Sequence, residues 1–216
     1  MAATTTRAHL RSVPGRIART CKLGAALHLL LRGGLRESGW FESHRLRRAV
    51  DAELRPLPWY TYACTSFLDE RLHSGLRVFE FGAGNSTLWY AARVREVIAV
   101  EQDRRWAAEA AATPNVTLVQ RRDPQGYANE IRLHGFFHLV AIDGVDRPAC
   151  ARAALETLHP DGVLLWDNAE RDDCRRTVPE LFEAGFRELP FEGPLPIVTE
   201  FIRTSLFYRP GNCLGI

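Results

Sequence analysis

Short apolar runs alternate with amphipathic stretches from about residue 77 onward. Runs rich in β-branched and aromatic residues predict five strands, at 77–81, 96–100, 116–119, 137–142 and 162–166. The intervening stretches have helical periodicity and predict helices at 86–93, 104–112, 128–133 and 148–158. Parallel strands need such helical crossovers, and continuous apolar runs are typical of strands that are covered on both faces.

The C-terminal part of the chain breaks this alternation. A helix is predicted at 172–184, and two strands are predicted at 186–191 and 204–208 around a Pro-rich connection. Two consecutive strands without a helical crossover indicate an antiparallel pair. The predicted fold class is therefore α/β: a Rossmann-like, doubly wound, mostly parallel sheet with a C-terminal antiparallel strand.

The N-terminal part is predicted to be helical. Its apolar periodicity changes at Pro56, and the helices predicted around that point lie at 17–35, 42–54 and 65–72. We divide the chain into an N-terminal helical extension, residues 1–55, and a sheet domain, residues 56–216. The length of 216 residues suits one domain with such an extension.

Composition and charge narrow the class of protein. With 46% hydrophobic and 25% charged residues, the chain is globular rather than collagen-like or disordered. No apolar run approaches the roughly 20 residues of a spanning helix. Residues 1–55 hold eleven basic and four acidic residues, a charge of +7, so the remainder carries −5. This basic arm suits peripheral contact with a membrane or an acidic partner. It lacks the interleaved aromatic residues of a nucleic-acid surface, so nucleic acid is not the expected partner.

Cysteine usage indicates the compartment. Five cysteines, an odd number without a C-x-x-C pair, favour neither a disulfide framework nor a zinc cluster. The apolar run at 23–31 is followed by arginines where a signal peptide would have ended. We therefore expect a reducing, cytoplasmic location, with membrane association through the basic arm as the further expectation. The sequence does not predict the oligomeric state.

The strongest local motif is EFGAGNST at residues 80–87, which follows a predicted strand and opens a predicted helix. Glycines let the backbone turn sharply and approach a ligand, and the start of a helix presents free N–H groups. We expect a cofactor to contact Glu80, Gly82, Ala83, Gly84, Asn85 and Ser86. Thr87 stands where a dinucleotide fingerprint has its third glycine. A tight turn capped by Ser86 is the purely structural alternative.

Further candidate cofactor contacts follow the second and third predicted strands. Glu101 lies where a ribose-binding carboxylate belongs in a βαβ nucleotide site, with Gln102 beside it. Trp106 is a candidate cover for an adenine ring. Asp123 is a candidate acceptor for an exocyclic amine, and Gln120 competes for that role. The alternative for Glu101 is an ordinary surface ion pair with a nearby arginine.

Asp143 and Gly144 follow the fourth predicted strand. Together with the motifs above, they give an order that resembles that of class I S-adenosylmethionine-dependent methyltransferases over about residues 60–209. The resemblance implies S-adenosylmethionine as cofactor, with its methionine part at the glycine turn and its ribose on Glu101. The sequence DGVDR at 143–147, followed by GVLLWDN at 162–168, is similar to small-molecule O-methyltransferases of the catechol and macrolide-sugar types. The expected activity is therefore methylation of a hydroxyl on a small molecule or glycan.

Oxygen ligands at the ends of two strands predict a magnesium site. Asp143 follows the fourth strand, and Asp167 and Asn168 follow the fifth. The carboxyl ends of adjacent parallel strands meet at one edge, and Mg²⁺ prefers oxygen ligands. A hydroxyl bound to such an ion becomes more acidic. The alternative is that Asp143 positions the cofactor while Asp167 and Asn168 cap a turn.

The catalytic base is less well specified. Asp143 is one candidate, and Asp146 is another because it stands where the catechol-type pattern has a lysine base. Asp146 is equally a candidate metal ligand or salt-bridge partner. His134 and His138 are alternative bases, although His138 lies inside an apolar strand and suits the core.

Substrate contacts are expected from outside the cofactor-binding half. Arg147 and Arg171 are candidate ligands for an anionic substrate group. The segments containing Trp59 and Tyr62, and residues 192–196, are candidates to close over the active edge. Two other functions stay open: an NAD(P)-dependent oxidoreductase, and a non-catalytic methyltransferase-fold module that docks through the basic arm.

Overall fold

A seven-stranded mixed sheet forms the centre of the computed structural model, which describes residues 23–103 and 112–216. The strand order is β3-β2-β1-β4-β5-β7-β6. The strands are β1 (Arg77–Phe81), β2 (Glu96–Glu101), β3 (Val116–Gln120), β4 (Phe137–Ile142), β5 (Leu158–Trp166), β6 (Arg187–Gly193) and β7 (Ile202–Tyr208). Strands β1 to β5 are parallel, and β7 is antiparallel to both β5 and β6. The predicted α/β fold class is confirmed.

Helices cover both faces of this sheet. They are α1 (Leu23–Leu31), α2 (Gly34–Glu37), α3 (Trp40–Leu46), α4 (Tyr62–Asp69), α5 (Asn85–Ala91), α6 (Pro124–Asn129), a 3₁₀ turn (Glu130–Leu133), α7 (Arg147–Thr157) and α8 (Asp172–Glu183). Two apolar clusters result, one on each face. Because successive side chains of a strand point to opposite faces, Phe79 and Phe81 of β1 lie in one cluster and Val78 in the other.

The strand register brings four chemically important positions to one edge. Phe81 is aligned with both Val100 and Ile142, and Ile142 with Trp166. The residues that follow these four are Gly82, Glu101, Asp143 and Asp167. Backbone hydrogen bonds of 2.9–3.2 Å extend the pairing past the strand ends and hold this edge in place.

The helix predicted at 42–54 is wrong beyond its first turns. Helix α3 ends at Leu46, and Arg47 has a left-handed backbone with φ 53°. The Ser43 hydroxyl donates to the Val50 carbonyl over 2.7 Å and accepts its N–H over 2.9 Å. Val50 then forms an isolated antiparallel bridge with Pro56. These contacts satisfy the backbone in an extended segment, so the helix does not continue.

Other helix boundaries differ for local reasons. Of the helix predicted at 17–35, the described part is α1, which ends before Gly33, whose φ is 120°. The helix predicted at 65–72 begins earlier, at Tyr62, because the Thr61 hydroxyl accepts the Cys64 N–H. The helix predicted at 104–112 lies almost entirely outside the described residues.

The N-terminal extension has two structurally different parts. Four of the leucines of α1 are about half exposed, namely Leu27, Leu29, Leu30 and Leu31. Residues 40–50 instead pack against the sheet domain. None of the described helices has the length and apolarity required to cross a membrane. Membrane contact through the basic arm and the domain boundary at residue 55 stay predictions.

Candidate functional site

A cavity of about 550 Å³ lies outside the carboxyl ends of β1, β2, β4 and β5. Its volume is in the usual range for a small-molecule site. The sequence-predicted site residues that line it are Glu80, Gly82, Ala83, Gly84, Asn85, Ser86, Glu101, Gln102, Asp143, Asp167 and Asn168. The register of the parallel strands therefore brings most of the predicted site together.

The glycine turn closes tightly over the neighbouring strand. Gly82 has a φ of 98°, and a Cβ at this position would lie 3.1 Å from the Asp143 carbonyl oxygen. The Gly84 N–H donates to the Thr87 hydroxyl over 3.0 Å, and this hydroxyl donates to Glu80 over 2.5 Å. Thr87, the residue that departs from the dinucleotide fingerprint, thus joins both ends of the turn.

Glu80 is a buried acid under the glycine turn. Only 1% of its surface is exposed. The pKa of its carboxyl is raised to about 8, mainly by burial; the Asp143 and Glu101 carboxylates act in the same direction, and hydrogen bonds from Ser86 and Thr87 oppose the shift. Glu80 is therefore mainly neutral at pH 7.

Glu101 fixes the other side of the turn. One carboxylate oxygen accepts the Ala83 N–H over 2.9 Å, and the other accepts the N–H groups of Gln102 and Asp103 over 2.7 Å each. The group is half-buried and lines the cavity. A carboxylate has about four acceptor positions, and Oε1 already accepts two N–H groups while Oε2 accepts one. The carboxylate is thus held rigidly while Oε2 keeps capacity for a ligand hydroxyl.

Arg147 joins the ends of β4 and β5 from beneath the cavity. This buried guanidinium donates to Asp143 Oδ1 over 3.0 Å, to the Gly144 carbonyl over 3.2 Å and to the Asp167 carbonyl. Burial raises the pKa of Asp143 to about 6, against the opposing effect of Arg147 and Arg171. Because its donors are used internally, Arg147 is not placed to bind an anionic substrate.

Asp167 is also buried and is held from the opposite strand. The Thr204 hydroxyl donates to Asp167 Oδ1 over 2.8 Å and accepts the Thr61 N–H over 3.2 Å. Burial raises the pKa of Asp167 well above its usual range, and the neighbouring Asp143 adds to the shift. Asn168, which follows, has a left-handed backbone with φ 49°.

The proposed magnesium ligands share the cavity, but their arrangement does not fit a divalent ion. Asp143 is paired with the buried Arg147 guanidinium, and Asp167 accepts the Thr204 hydroxyl. The arginine already compensates the carboxylate charge and would repel a second cation. We therefore derive no step through Mg²⁺.

The remaining aspartates predicted from the sequence lie elsewhere. Asp146 is exposed and caps α7 by accepting the Ala149 N–H over 3.4 Å. Asp123 is exposed and caps α6 by accepting the Gly126 N–H over 2.6 Å. Neither lines the cavity. Trp106 lies outside the described residues.

The two candidate histidine bases also lie away from the cavity. His134 contacts Glu130 over 2.9 Å. His138 accepts the Arg77 N–H at Nδ1 over 3.0 Å and stacks on His159 at the amino end of the sheet. With Asp161, these two rings are the described group with metal-ligand spacing. Because Nδ1 of His138 accepts a hydrogen bond, its Nε2 carries the proton of the neutral ring and does not ligate a metal.

The sequence did not predict the contribution of residues 40–49 of the extension, which we call the clamp segment. Trp40 Nε1 donates to the Val198 carbonyl over 2.8 Å, and His44 Nδ1 lies 2.8 Å from the Ile197 carbonyl. These bonds attach α3 to the loop before β7. The partners are more than 150 positions apart in the chain, so no local pattern signals them.

The clamp segment is also attached to the glycine turn. Arg48 donates from Nε to Asn85 Oδ1 over 2.9 Å, and Asn85 Nδ2 donates to the Ala49 carbonyl over 2.5 Å. Asn85, expected to contact a cofactor, thus holds the extension in place. The segment therefore forms a wall of the cavity that joins the glycine turn to the loop before β7.

The lining residues that come from loops outside the strand ends have a different chemistry. Their side chains are mostly apolar, namely Leu57, Trp59, Leu195, Ile197, Val198 and Ile202. Trp59 is 43% exposed, whereas Tyr62 does not line the cavity. Arg47 and Arg171 are exposed cations that also line the cavity. The cavity thus has an acidic half built from strand ends, an apolar half built from loops, and two exposed arginines.

Solved structures resemble this chain in fold. One is the O-methyltransferase TomG from Streptomyces achromogenes, which is involved in tomaymycin synthesis and was solved with S-adenosylmethionine. It is 20% identical to this chain with a TM-score of 0.56, and the match covers 89% of this chain and 98% of TomG. The precorrin-6y C5,15-methyltransferase from Geobacter metallireducens is 15% identical with a TM-score of 0.54, over 77% and 97%. An rRNA methylase from Streptococcus thermophilus is 17% identical with a TM-score of 0.50, over 67% and 93%.

These similarities establish the fold of the chain. It is the Rossmann-like fold found in class I methyltransferases, as the sequence motifs implied. No protein-family model and no curated protein sequence matches the chain. The names of these three proteins describe different reactions, so the shared fold does not identify a substrate for this chain.

Proposed function

We propose that this protein is an S-adenosylmethionine-dependent methyltransferase that methylates a hydroxyl group of a small molecule or glycan. The observation that carries the proposal is the two-sided cavity. One half holds a glycine turn and strand-end acids, and the other half is apolar and separately built. The fold that the chain shares with TomG supports the same conclusion.

The cofactor half offers contacts suited to S-adenosylmethionine, which supplies an activated methyl group when bound. Gly82 lets the turn pack closely against Asp143, because its positive φ and the short distance to the Asp143 backbone leave no room for a side chain, and the turn then presents its backbone to the cofactor. Glu101 is fixed by three N–H groups and offers its remaining acceptor position, on Oε2, to a ribose hydroxyl. Gln102 lies beside it on the cavity wall.

The remaining residues would orient the acceptor and take up its proton. Apolar side chains and the clamp segment exclude water from the reacting edge. Asp143 binds Arg147 through Oδ1, which leaves Oδ2 to accept the hydroxyl proton. A pKa of about 6 suits a general base near neutral pH. Most of the rate enhancement would come from holding the hydroxyl in line with the methyl group.

Two features weigh against the oxidoreductase alternative. In the dinucleotide-binding fold the strand order is 3-2-1-4-5-6 and the sixth strand continues the parallel sheet. Here antiparallel β7 lies between β5 and β6. In addition, Thr87 replaces the third glycine and bonds to Glu80 instead of opening the turn.

Calorimetric titration with S-adenosylhomocysteine tests the proposal. We expect saturable one-to-one binding by the full chain and no binding of NADH. Gly82→Ala should weaken binding at least about tenfold, because a Cβ would be strained and crowded there. Gly185→Ala is the matched control, since Gly185 also has a positive φ, 84°, but has no atom within 4 Å of its Cβ position. Absence of S-adenosylhomocysteine binding by the unmodified chain would overturn the proposal.

A further inference from the structure

Two arginines that line the cavity have guanidinium groups without a hydrogen bond or salt bridge among the described residues. Arg47 ends α3 and Arg171 precedes α8, and both are exposed and line the cavity. Neither guanidinium makes a hydrogen bond or a salt bridge within the described chain. Neighbouring arginines on the same helices are paired, since Arg45 binds Glu42 and Arg175 binds Asp172. Glu42 and Asp172 are therefore already paired.

The acids across the cavity do not cancel these two charges. Burial holds Glu80 mainly neutral at pH 7, because its pKa is raised to about 8. The Glu101 carboxylate accepts three backbone N–H groups. Asp143 is paired with the buried Arg147. Arg171 lies close enough to Asp143 to oppose the rise of its pKa, but among the described residues neither Arg47 nor Arg171 forms a salt bridge with these acids.

Backbone hydrogen bonds hold the main chain in place at both Arg47 and Arg171. The Arg47 N–H donates to the Ser43 carbonyl. The Arg171 N–H donates to the Asn168 carbonyl over 3.1 Å, and the Arg171 carbonyl accepts the Arg175 N–H over 3.1 Å. A fixed backbone with an uncommitted guanidinium suits ligand binding, since the planar fork matches the oxygens of a carboxylate or phosphate.

We propose that the acceptor is an organic anion whose carboxylate or phosphate binds Arg47 and Arg171, while its apolar or ring-shaped body lies against Trp59 and Leu195. This inference rests on the proposed function, because it assigns the substrate class of the same cavity. It gives a role to two cavity-lining cations that form no salt bridge among the described residues. An isolated anion in such a partly enclosed site gains more from arginine than it would in water.

Ligand-observed NMR titration with three small probes tests the inference, in the presence of saturating S-adenosylhomocysteine. The probes are benzoate, phenyl phosphate and the neutral benzamide, which share one ring and differ in charge. We expect at least one of the two anions to bind at least about fivefold more tightly than benzamide, since charge-assisted hydrogen bonds to arginine are strong. The tighter anion indicates whether carboxylate or phosphate is preferred.

Variants assign the effect to the two arginines. Arg47→Gln and Arg171→Gln should each weaken the bound anion at least about fivefold and leave benzamide unchanged. The corresponding lysine variants should restore part of the affinity, because they keep the charge without the fork. Arg187→Gln is the control, since Arg187 is exposed on β6 and does not line the cavity. It should behave like the unmodified protein.

Three results would overturn the inference. One is equal binding of all three probes, and another is anion binding that neither glutamine variant changes. The third is a loss of S-adenosylhomocysteine affinity in the glutamine variants, which would assign the arginines to the cofactor. Failure of the unmodified chain to bind S-adenosylhomocysteine would instead contradict the proposed function, so the two failures are distinguishable.

Discussion

At the residue scale, the site depends on a few buried polar groups with assigned partners. Glu80 and Thr87 bond to each other below the glycine turn, and Arg147 ties Asp143 to the end of β5. A buried polar group without a partner costs free energy, so each of these pairs constrains its neighbours. The same groups give the protein a specific dependence on pH.

Glu80 should make the protein less stable as pH rises. Its pKa is about 8 in the folded chain against an ordinary value of 4.5, so between these pH values the folded chain keeps a proton that the unfolded chain releases. The free energy of unfolding should therefore fall from pH 5.5 to pH 7.5. Glu80→Gln should reduce this fall by about 1–3 kcal/mol, because the amide does not titrate.

Urea denaturation at the two pH values measures this difference. Glu183→Gln is the control, since Glu183 is exposed at the end of α8 and should leave the pH dependence unchanged. An identical pH dependence in Glu80→Gln and the unmodified protein would show that Glu80 is ionised in the folded state.

Glu101 should be necessary for cofactor affinity. Its carboxylate holds Ala83 and the end of β2 in place and offers an acceptor to the ribose. Glu101→Ala removes both contributions, so we expect S-adenosylhomocysteine to bind at least about tenfold more weakly in calorimetry. Glu183→Ala should bind as the unmodified chain does. Unchanged affinity in Glu101→Ala would refute the assignment of Glu101 to the cofactor.

Mg²⁺ should not bind at the strand ends. Calorimetric titration with magnesium chloride is expected to give the same small heats for the unmodified chain and for a double variant, Asp143→Asn with Asp167→Asn. The reason is that Arg147 already pairs with Asp143. Saturable heat that disappears in the double variant would restore the magnesium site predicted from the sequence.

At the scale of elements, the clamp segment depends on a single buried hydroxyl. Ser43 is fully buried and bonds to both backbone polar groups of Val50. Ser43→Ala would leave those groups unpaired, so we expect a loss of about 1–3 kcal/mol in the free energy of unfolding, measured by urea denaturation. Ser74→Ala, at an exposed turn, should change stability little. Equal stability of the two variants would show that water replaces the hydroxyl.

The sequence predicted the elements of the sheet better than those of the extension. All five parallel strands were predicted within a few residues, because buried apolar runs between helical stretches are a local signal. The cofactor half of the cavity followed, since its residues come directly after those strands. The prediction of a helix at 42–54 was wrong because the Ser43 hydroxyl bonds to the Val50 backbone and Val50 forms a β-bridge with Pro56. Hydrophobic periodicity does not encode these contacts.

Most residues of the apolar half of the cavity, where we place the acceptor, could not be predicted from the sequence. Trp59 was predicted to lie there, but the bonds from Trp40 to Val198 and from Arg48 to Asn85 join distant parts of the chain. Such contacts depend on the tertiary arrangement of loops. Likewise, Arg147 was assigned to a substrate because its burial and its three internal acceptors are visible only in the structure.

At the scale of the whole molecule, the site is shared between the sheet domain and the extension. The sheet supplies Glu101 and Asp143, and the clamp segment supplies the wall that bonds to Asn85. The described helix α1, by contrast, contributes none of the residues that line the cavity. A division of the chain at residue 55 therefore separates parts that form one site, whereas a division after α1 does not.

Two shortened chains should distinguish these divisions. A chain that starts at residue 33 keeps the clamp segment, so its S-adenosylhomocysteine affinity should match that of the full chain. A chain that starts at residue 56 loses the bonds to Asn85 and Val198 and exposes apolar surface at Ile197. Its affinity should fall at least about tenfold and its unfolding should occur at lower urea. Equal affinity of the two shortened chains would mean that the sheet domain forms the cofactor site alone, with the clamp segment serving the acceptor half only.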